Sequence, residues 1–346
     1  MTESSLSAPR PQSELKLPVR EHFATWLGVF SVVLALSSLA RPQEPSPPYS
    51  RPGDEFTIRV DVDVVVLHAT AQDRKSTLVS GLEKDDFQVY EDGVRQPIKY
   101  FSHQDIPVTV GLVFDNSGSM GPKRADVIAA ALLFARSSNP QDEMFVVNFN
   151  EKVSFALPGS IPFTDQISQL EVALSRIRAQ GETALYDAVA AALDHLKKGS
   201  RDKKVLIVIS DGGDNASKQK LAEMMAMVGQ PGAIIYTIGI FDNQDADRNP
   251  GVLKRLAQDT GGEAFLPESS KEVASICEKI ARDIRSQYTI AYVPTNRKRD
   301  GTYRSVQMKA SAPGRGRLSV RTRTGYFAPP ALPSSTAKTT DHEADN

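Results

Sequence analysis

Two periodicities divide the chain. From Phe56 to Leu67 ("FTIRVDVDVVVL") apolar and polar residues alternate before running apolar, and "FQVYEDGVRQPIKYF" sets Asp92-Gly93 between two strand-like halves. That arrangement predicts a β-hairpin in a β-rich segment. After Gln104 the pattern changes to unbroken apolar runs, "VTVGLVF", "MFVVNF", "VLIVIS" and "AIIYTIGI", separated by stretches of helical period. Ile167, Leu170, Leu174 and Ile177 share one helical face, as do Leu185, Val189, Leu193 and Leu196, and again Val273, Ile276, Ile280 and Ile284. Continuous apolar strands alternating with amphipathic helices predict an α/β domain, a doubly wound, mostly parallel sheet covered on both faces. From Gln287 to Phe327 the chain returns to short strands and turns.

Each β segment is too short to hold a stable sheet alone. Residues 54–104 and 286–328 are therefore expected to pair into one small β-sandwich-like module, flanking an α/β domain over 105–285 that emerges from it as an insertion. Residues 1–40 have the layout of a secretory signal. Arg10, Lys16 and Arg20 precede an apolar run from Phe23 to Leu39, with small residues "SLA" at the cleavage position. An uncleaved signal anchor is the alternative, and in either case the chain after residue 41 faces outside the cytoplasm, secreted, periplasmic or at the cell surface. Residues 41–53 ("RPQEPSPPYSRPG") read as a Pro/Ser-rich linker, and 329–346 as a disordered tail.

Lysine plus arginine (41) nearly cancel aspartate plus glutamate (42), so bulk charge implies no nucleic acid as a partner. Contact with a membrane would come only through the N-terminal anchor, and the oligomeric state is open. The single cysteine, Cys277, excludes an internal disulfide and a cysteine-built zinc or iron–sulfur site. It falls on the third helical stripe and reads as a small buried apolar residue. The basic series Arg315, Arg317, Arg321 and Arg323 reads as the solvated face of strands. His68, His103 and His195 have no triad or paired-ligand spacing, and no G-x-S-x-G turn is present, which argues against a hydrolase. The loop from Asp242 starts like a calcium loop but lacks its glycine and ends in Leu253 where a glutamate is needed.

The candidate chemistry lies where ligands bind in such sheets, beyond the carboxyl ends of the strands. "VGLVFDNSGSMG" ends a buried strand in Asp115, Ser117 and Ser119. "QGETALYDAV" places Thr183 in a loop before a helix, and "VLIVISDGGDN" places Asp211 just past another strand. A hard divalent cation takes about six oxygen ligands and usually keeps some waters. The three hydroxyls are neutral ligands small enough to pack around one, while the two aspartates supply charge. A cation so held stays electron-poor and attracts an outside carboxylate.

These three motifs, in this order on alternating buried strands and amphipathic helices, resemble the von Willebrand factor type A domain with its metal-ion-dependent adhesion site. The whole layout also resembles bacterial exported von Willebrand factor A-related proteins of the acidobacterial type. The resemblance implies Mg²⁺ or Mn²⁺, with Ca²⁺ as a further candidate. It implies Ser117 and Ser119 as direct ligands, Thr183 direct or through water, and Asp115 and Asp211 mostly through water. It implies a non-enzymatic module that engages an Asp or Glu of a protein partner. An extracytoplasmic assembly or chaperone-like subunit is the alternative. In relatives, entry of the residue matching Thr183 into the first shell accompanies displacement of the last helix, here about 269–285.

Overall fold

The structure, a computed structural model, describes residues 63–175, 179–230, 232–241 and 248–331. The signal and linker assignments, Ile177, most of the calcium-like loop and nearly all of the C-terminal tail lie outside these residues. The described chain opens with β1 (Val65–Gln72), β2 (Phe87–Glu91), β3 (Val94–Gln96) and β4 (Ile98–Ser102). There follow β5 (Val108–Asp115), α1 (Arg124–Ser137), β6 (Glu143–Phe149), β7 (Val153–Phe155), α2 (Ile167–Ser175) and α3 (Leu185–Leu196). Next come β8 (Lys203–Ser210), α4 (Leu221–Val228), β9 (Ile234–Gly239), α5 (Pro250–Thr260), β10 (Ala264–Phe265) and α6 (Val273–Arg285). The chain closes with β11 (Tyr288–Tyr292), β12 (Tyr303–Ala312), β13 (Gly316–Arg321) and β14 (Gly325–Phe327).

The middle elements form an α/β domain. Its six strands run in the order β10-β9-β8-β5-β6-β7, parallel throughout except for the antiparallel edge strand β7. All eight residues of β5 are buried, as its unbroken apolar pattern requires of a central strand covered on both faces. One cluster packs Leu112 and Phe114 against Phe134 of α1 and against Cys277 and Ile280 of α6. A second packs Val113 and Val208 on the opposite face against Leu185 of α3, Met224 of α4 and Leu253 of α5. The Cys277 thiol sits inside the first cluster, where burial pushes its pKa up to about 12 and leaves it inert.

The two terminal β segments hydrogen-bond to one another in an antiparallel path of strands, β3-β2-β12-β13-β1-β11-β4, with β14 beside β12. Asp92 and Gly93 take positive φ, 48° and 80°, as a two-residue hairpin turn between β2 and β3 demands. β1 pairs with β11 through Val65–Ala69 and with β13 through Thr70–Gln72. Phe87 of β2 and Phe101 of β4 lie far apart along this path, yet their ring centroids are 5.7 Å apart. The sheet therefore curls over its own core. β12 alternates exposed and buried from Tyr303 to Ala310 and carries Arg304 inward with Val306 and Met308. Glu91 answers that charge at 3.4 Å and also accepts from the hydroxyls of Tyr292 (2.7 Å) and Tyr326 (2.8 Å), so the Arg304 and Glu91 charges are buried as a pair.

A polar junction ties this β module to the α/β domain. Buried Asp283 of α6 accepts from Thr70 of β1 (2.9 Å), from Tyr236 of β9 (2.6 Å) and from Arg321 of β13, which also pairs with Glu263. Arg323 donates to the carbonyls of Gln230 (3.1 Å) and Gly325 (2.8 Å). The reading of the basic series as one solvated face is therefore corrected. Arg315 and Arg317 are exposed, whereas Arg321 and Arg323 point into the junction, because β13 and the turn after it run along the base of the α/β domain.

His68 lies in the same junction. Burial, then the positive Lys203 and Arg323, push its pKa from 6.5 down to about 3. Between those values the unfolded chain binds a proton at His68 that the folded chain does not. Its contribution to stability is thus complete above pH 6.5 and is lost as the pH falls toward 3. The thermal midpoint of the wild type should fall more steeply across that window than that of His68→Gln, with the two proteins alike at neutral pH. Parallel acid limbs would show that the imidazole titrates alike in both states.

Candidate metal centre

The strand order places a switch point at β5. From β5 the chain crosses through α1 on one face to β6, whereas β8, on the other side of β5, leads to α4 on the opposite face. The loops after β5 and β8 diverge and leave a crevice beyond their carboxyl ends. Asp115 is the last residue of β5, and Asp211 follows the last residue of β8. Both carboxylates are buried, 4 % and 3 % exposed.

After Asp115 the chain enters a 3-10 turn over Gly118–Lys123 with Ser117 as its N-cap residue. The Ser117 hydroxyl does not cap that turn and instead lies 3.1 Å from the Ser119 hydroxyl. Ser119 Oγ donates to Asp211 Oδ2 at 2.8 Å, which links the first and third motifs directly. Asp115 Oδ1 accepts from the Ser117 backbone N–H (2.9 Å), and its Oδ2 accepts from Ser210 Oγ (2.6 Å). Burial pushes the Asp115 carboxyl above the usual carboxylate range, against the opposing pull of the Ser117 and Ser210 hydrogen bonds and of the charge on Lys123.

The second motif is laid over the first by backbone bonds. Gly118 N–H donates to Gly181 O (3.1 Å), and Gln180 N–H to Asn116 O (2.8 Å). Thr183 is held from the other side by Asn215, whose Oδ1 accepts from Thr183 N–H (2.8 Å) and whose N–H donates to Thr183 O (2.9 Å). Thr183 is 7 % exposed, and its hydroxyl makes no hydrogen bond among the described residues. Gly212 follows Asp211 at φ +79°, where a Cβ would lie 2.4 Å from the carbonyl oxygen of Asn249, so only glycine lets this loop pass the start of α5.

Asp115, Ser117, Ser119 and Asp211 are thus joined in one hydrogen-bonded cluster, and the Thr183 loop is bonded to the backbone beside it. One contributor escapes a reading of the sequence. Ser210 is fully buried and braces Asp115, and its place one residue ahead of Asp211 in "ISDGG" is the signal that could have found it. Asn215 positions Thr183, and Asp214 caps α3 by accepting from Tyr186 N–H (3.1 Å). Arg124 and Asp126 serve packing: Arg124 donates to Leu174 O (3.2 Å), and Asp126 accepts from Ser270 (2.5 Å) ahead of α6.

Among the described residues no group of three or more His, Cys, Asp or Glu is arranged to hold a metal. The cluster here has only two carboxylates, and its remaining oxygens are hydroxyls. That all-oxygen set fits a hard divalent cation, since hydroxyl protons now supply to the two carboxylates the positive partner that an ion would replace.

Residues 110–213 match the family model of the von Willebrand factor type A domain. Over those residues the chain has the sequence of a von Willebrand factor type A domain. Its sequence is similar over 200 residues, at 24 % identity, to inter-alpha-trypsin inhibitor heavy chain H4 of Bos taurus, covering 51 % of this chain and 22 % of that protein. It is 22 % identical over 170 residues to an uncharacterised protein of Synechocystis sp., covering 48 % of this chain and 39 % of that one. The chain therefore spans well under half the length of these curated relatives. Among solved structures, a von Willebrand factor type A protein from Catenulispora acidiphila aligns with a TM-score of 0.46 at 14 % identity, covering 80 % of this chain and 75 % of that one. Domains of this family are protein-interaction modules. Among the described residues no helix is long and apolar enough to cross a membrane.

Proposed function

We propose that the chain is an exported, non-enzymatic binding protein. Its von Willebrand factor type A domain holds Mg²⁺ or Mn²⁺, with Ca²⁺ as a further candidate, through Ser117, Ser119, Thr183, Asp115 and Asp211, and engages an Asp or Glu of a protein partner. The observation that carries this reading is the convergence of three loops on two buried carboxylates ringed by hydroxyls at the switch point of the sheet. When bound, the cation supplies a coordination position open to an external carboxylate. The chain's own residues position the ligands: Ser210 orients Asp115, Asn215 holds the Thr183 loop, and Gly212 lets the Asp211 loop pass close to α5.

One observation favours a second reading. The hydrogen bonds from Ser119 to Asp211 and from Ser210 to Asp115 satisfy both carboxylates within the protein. A domain so satisfied can keep its shape without an ion and serve as an extracytoplasmic assembly or chaperone-like subunit.

Calorimetric titration of MgCl₂ and MnCl₂ into chelator-stripped protein separates the two. The adhesion reading expects saturable binding of at least one ion and partner complexes that chelator dissolves. Absence of binding heat, with partner complexes that survive chelator, would sink it in favour of the assembly reading.

A further inference from the structure

A cavity of about 670 Å³ lies between the β module and the base of the α/β domain. Its lining takes in Asp202 and Ile234, at the amino-terminal ends of β8 and β9, so it opens at the end of the parallel sheet opposite the oxygen cluster. That volume is within the range of about 300–1,000 Å³ typical of small-molecule sites. Val64, Val66 and Tyr100 stand at its mouth 53 %, 48 % and 56 % exposed, an apolar rim on a protein whose other large side chains are mostly covered.

The basic side chains in the lining are Arg323 and His68, with Asp202 at the amino-terminal end of β8. Arg323 lines the cavity and is only 7 % exposed. Its Nε and Nη2 are held by carbonyl oxygens, while Nη1 has no hydrogen-bond partner among the described residues. None of the described ion pairs includes Arg323, and Asp202, on the same lining, does not pair with it. His68 Nδ1 lies 3.3 Å from Thr289 Oγ1, and its Nε2 has no partner among the described residues. When Nδ1 accepts from that hydroxyl, Nε2 carries the proton and is a second donor. The depressed pKa of His68, caused by burial and then by Lys203 and Arg323, agrees with an electropositive interior. A buried guanidinium lacking a carboxylate is costly, and in an apolar chamber the group that relieves it is an anion carried on an apolar body.

We infer that this cavity binds an amphiphilic carboxylate, its head group on Arg323 Nη1 and His68 Nε2 and its apolar chain running out past Val64, Val66 and Tyr100. The site is independent of the metal reading, since it shares no residue with the oxygen cluster.

The test titrates dodecanoate and dodecanol, each below its aggregation threshold, into the full chain by calorimetry, alongside variants whose fold is checked by circular dichroism. Dodecanoate should saturate one site and bind about tenfold or more tighter than dodecanol. Arg323→Gln should bring the two probes level. Val66→Glu should weaken dodecanoate about tenfold and Val66→Lys should strengthen it, because position 66 sits at the mouth and either charge stays solvated. Equal affinity of the wild type for both probes, or no saturable binding of dodecanoate, overturns the proposal. Should Arg323→Gln fail to fold, the Val66 pair decides: opposite shifts of dodecanoate affinity support the site, and shifts of the same sign or none refute it.

Discussion

Asp283→Ala should lower the unfolding free energy by about 3–5 kcal/mol, the cost typical of removing one partner from a buried charge pair. Asp283 is 3 % exposed and receives three donors from three different elements, Thr70 of β1, Tyr236 of β9 and Arg321 of β13. The alanine leaves the fully buried Tyr236 hydroxyl and the nearly buried Thr70 hydroxyl without this acceptor, each worth about 1–3 kcal/mol, and strips Arg321 of one of its two carboxylates. Size alone does not set the effect. Arg136 and Glu171 form a 2.8 Å pair with side chains 58 % and 44 % exposed, and Glu171→Ala should cost only about 0.5 kcal/mol or less. Urea unfolding of both variants checks the contrast. A loss below about 1 kcal/mol for Asp283→Ala would mean that the junction is not a cooperative part of the fold. Asp283 also anchors the carboxyl end of α6, while Ser270, just ahead of α6, is tied to Asp126 of α1. Movement of α6 on ligand binding, as the family resemblance implies, would have to break one of these ties.

Much of this architecture is written in local pattern. Unbroken apolar runs foretell β5, β6, β8 and β9, because strands covered on both faces admit no alternation. Asp92-Gly93 foretells its hairpin because the turn demands two positive φ values. Of the five candidate site residues, Asp115, Ser117, Ser119 and Asp211 stand out because polar side chains interrupt buried runs at strand ends, whereas Thr183 precedes a helix. Burial of charge is where local pattern fails. Arg321 reads as a member of a solvated basic series, yet it meets Asp283, 38 positions away in sequence, and Arg304 meets Glu91, 213 positions away. Nothing in a window of ten or twenty residues reports such a pairing. Ser210 escaped for a related reason: its role as a brace for Asp115 exists only once β5 and β8 are neighbours in the sheet. The short strands β7 and β10 are likewise defined by the partner beside them, not by a periodicity of their own.

At the oxygen cluster, Asp115→Asn should abolish Mg²⁺ and Mn²⁺ binding while leaving the chelator-treated protein as stable as the wild type or more so. The two effects have opposite sign because one carboxylate does two things. Its charge is what a cation needs, and losing it, or the hydrogen bonds that orient it, costs metal affinity on the order of a hundredfold or more. That same charge is 4 % exposed, and desolvation already pushes the Asp115 pKa upward, so the folded protein without an ion disfavours it. Asparagine keeps an oxygen to accept from Ser117 N–H and an amide to face Ser210 Oγ, so the loop geometry survives the change. Ser119→Ala separates the roles differently. It removes a candidate hydroxyl ligand together with the hydrogen bond that ties the first loop to Asp211, so affinity and metal-free stability should fall together. Calorimetric titration paired with thermal melts in chelator reads both quantities on the same samples. A drop in metal-free stability of Asp115→Asn as large as that of Ser119→Ala would assign the buried aspartate to the scaffold, and the case for a cation at this site would go with it.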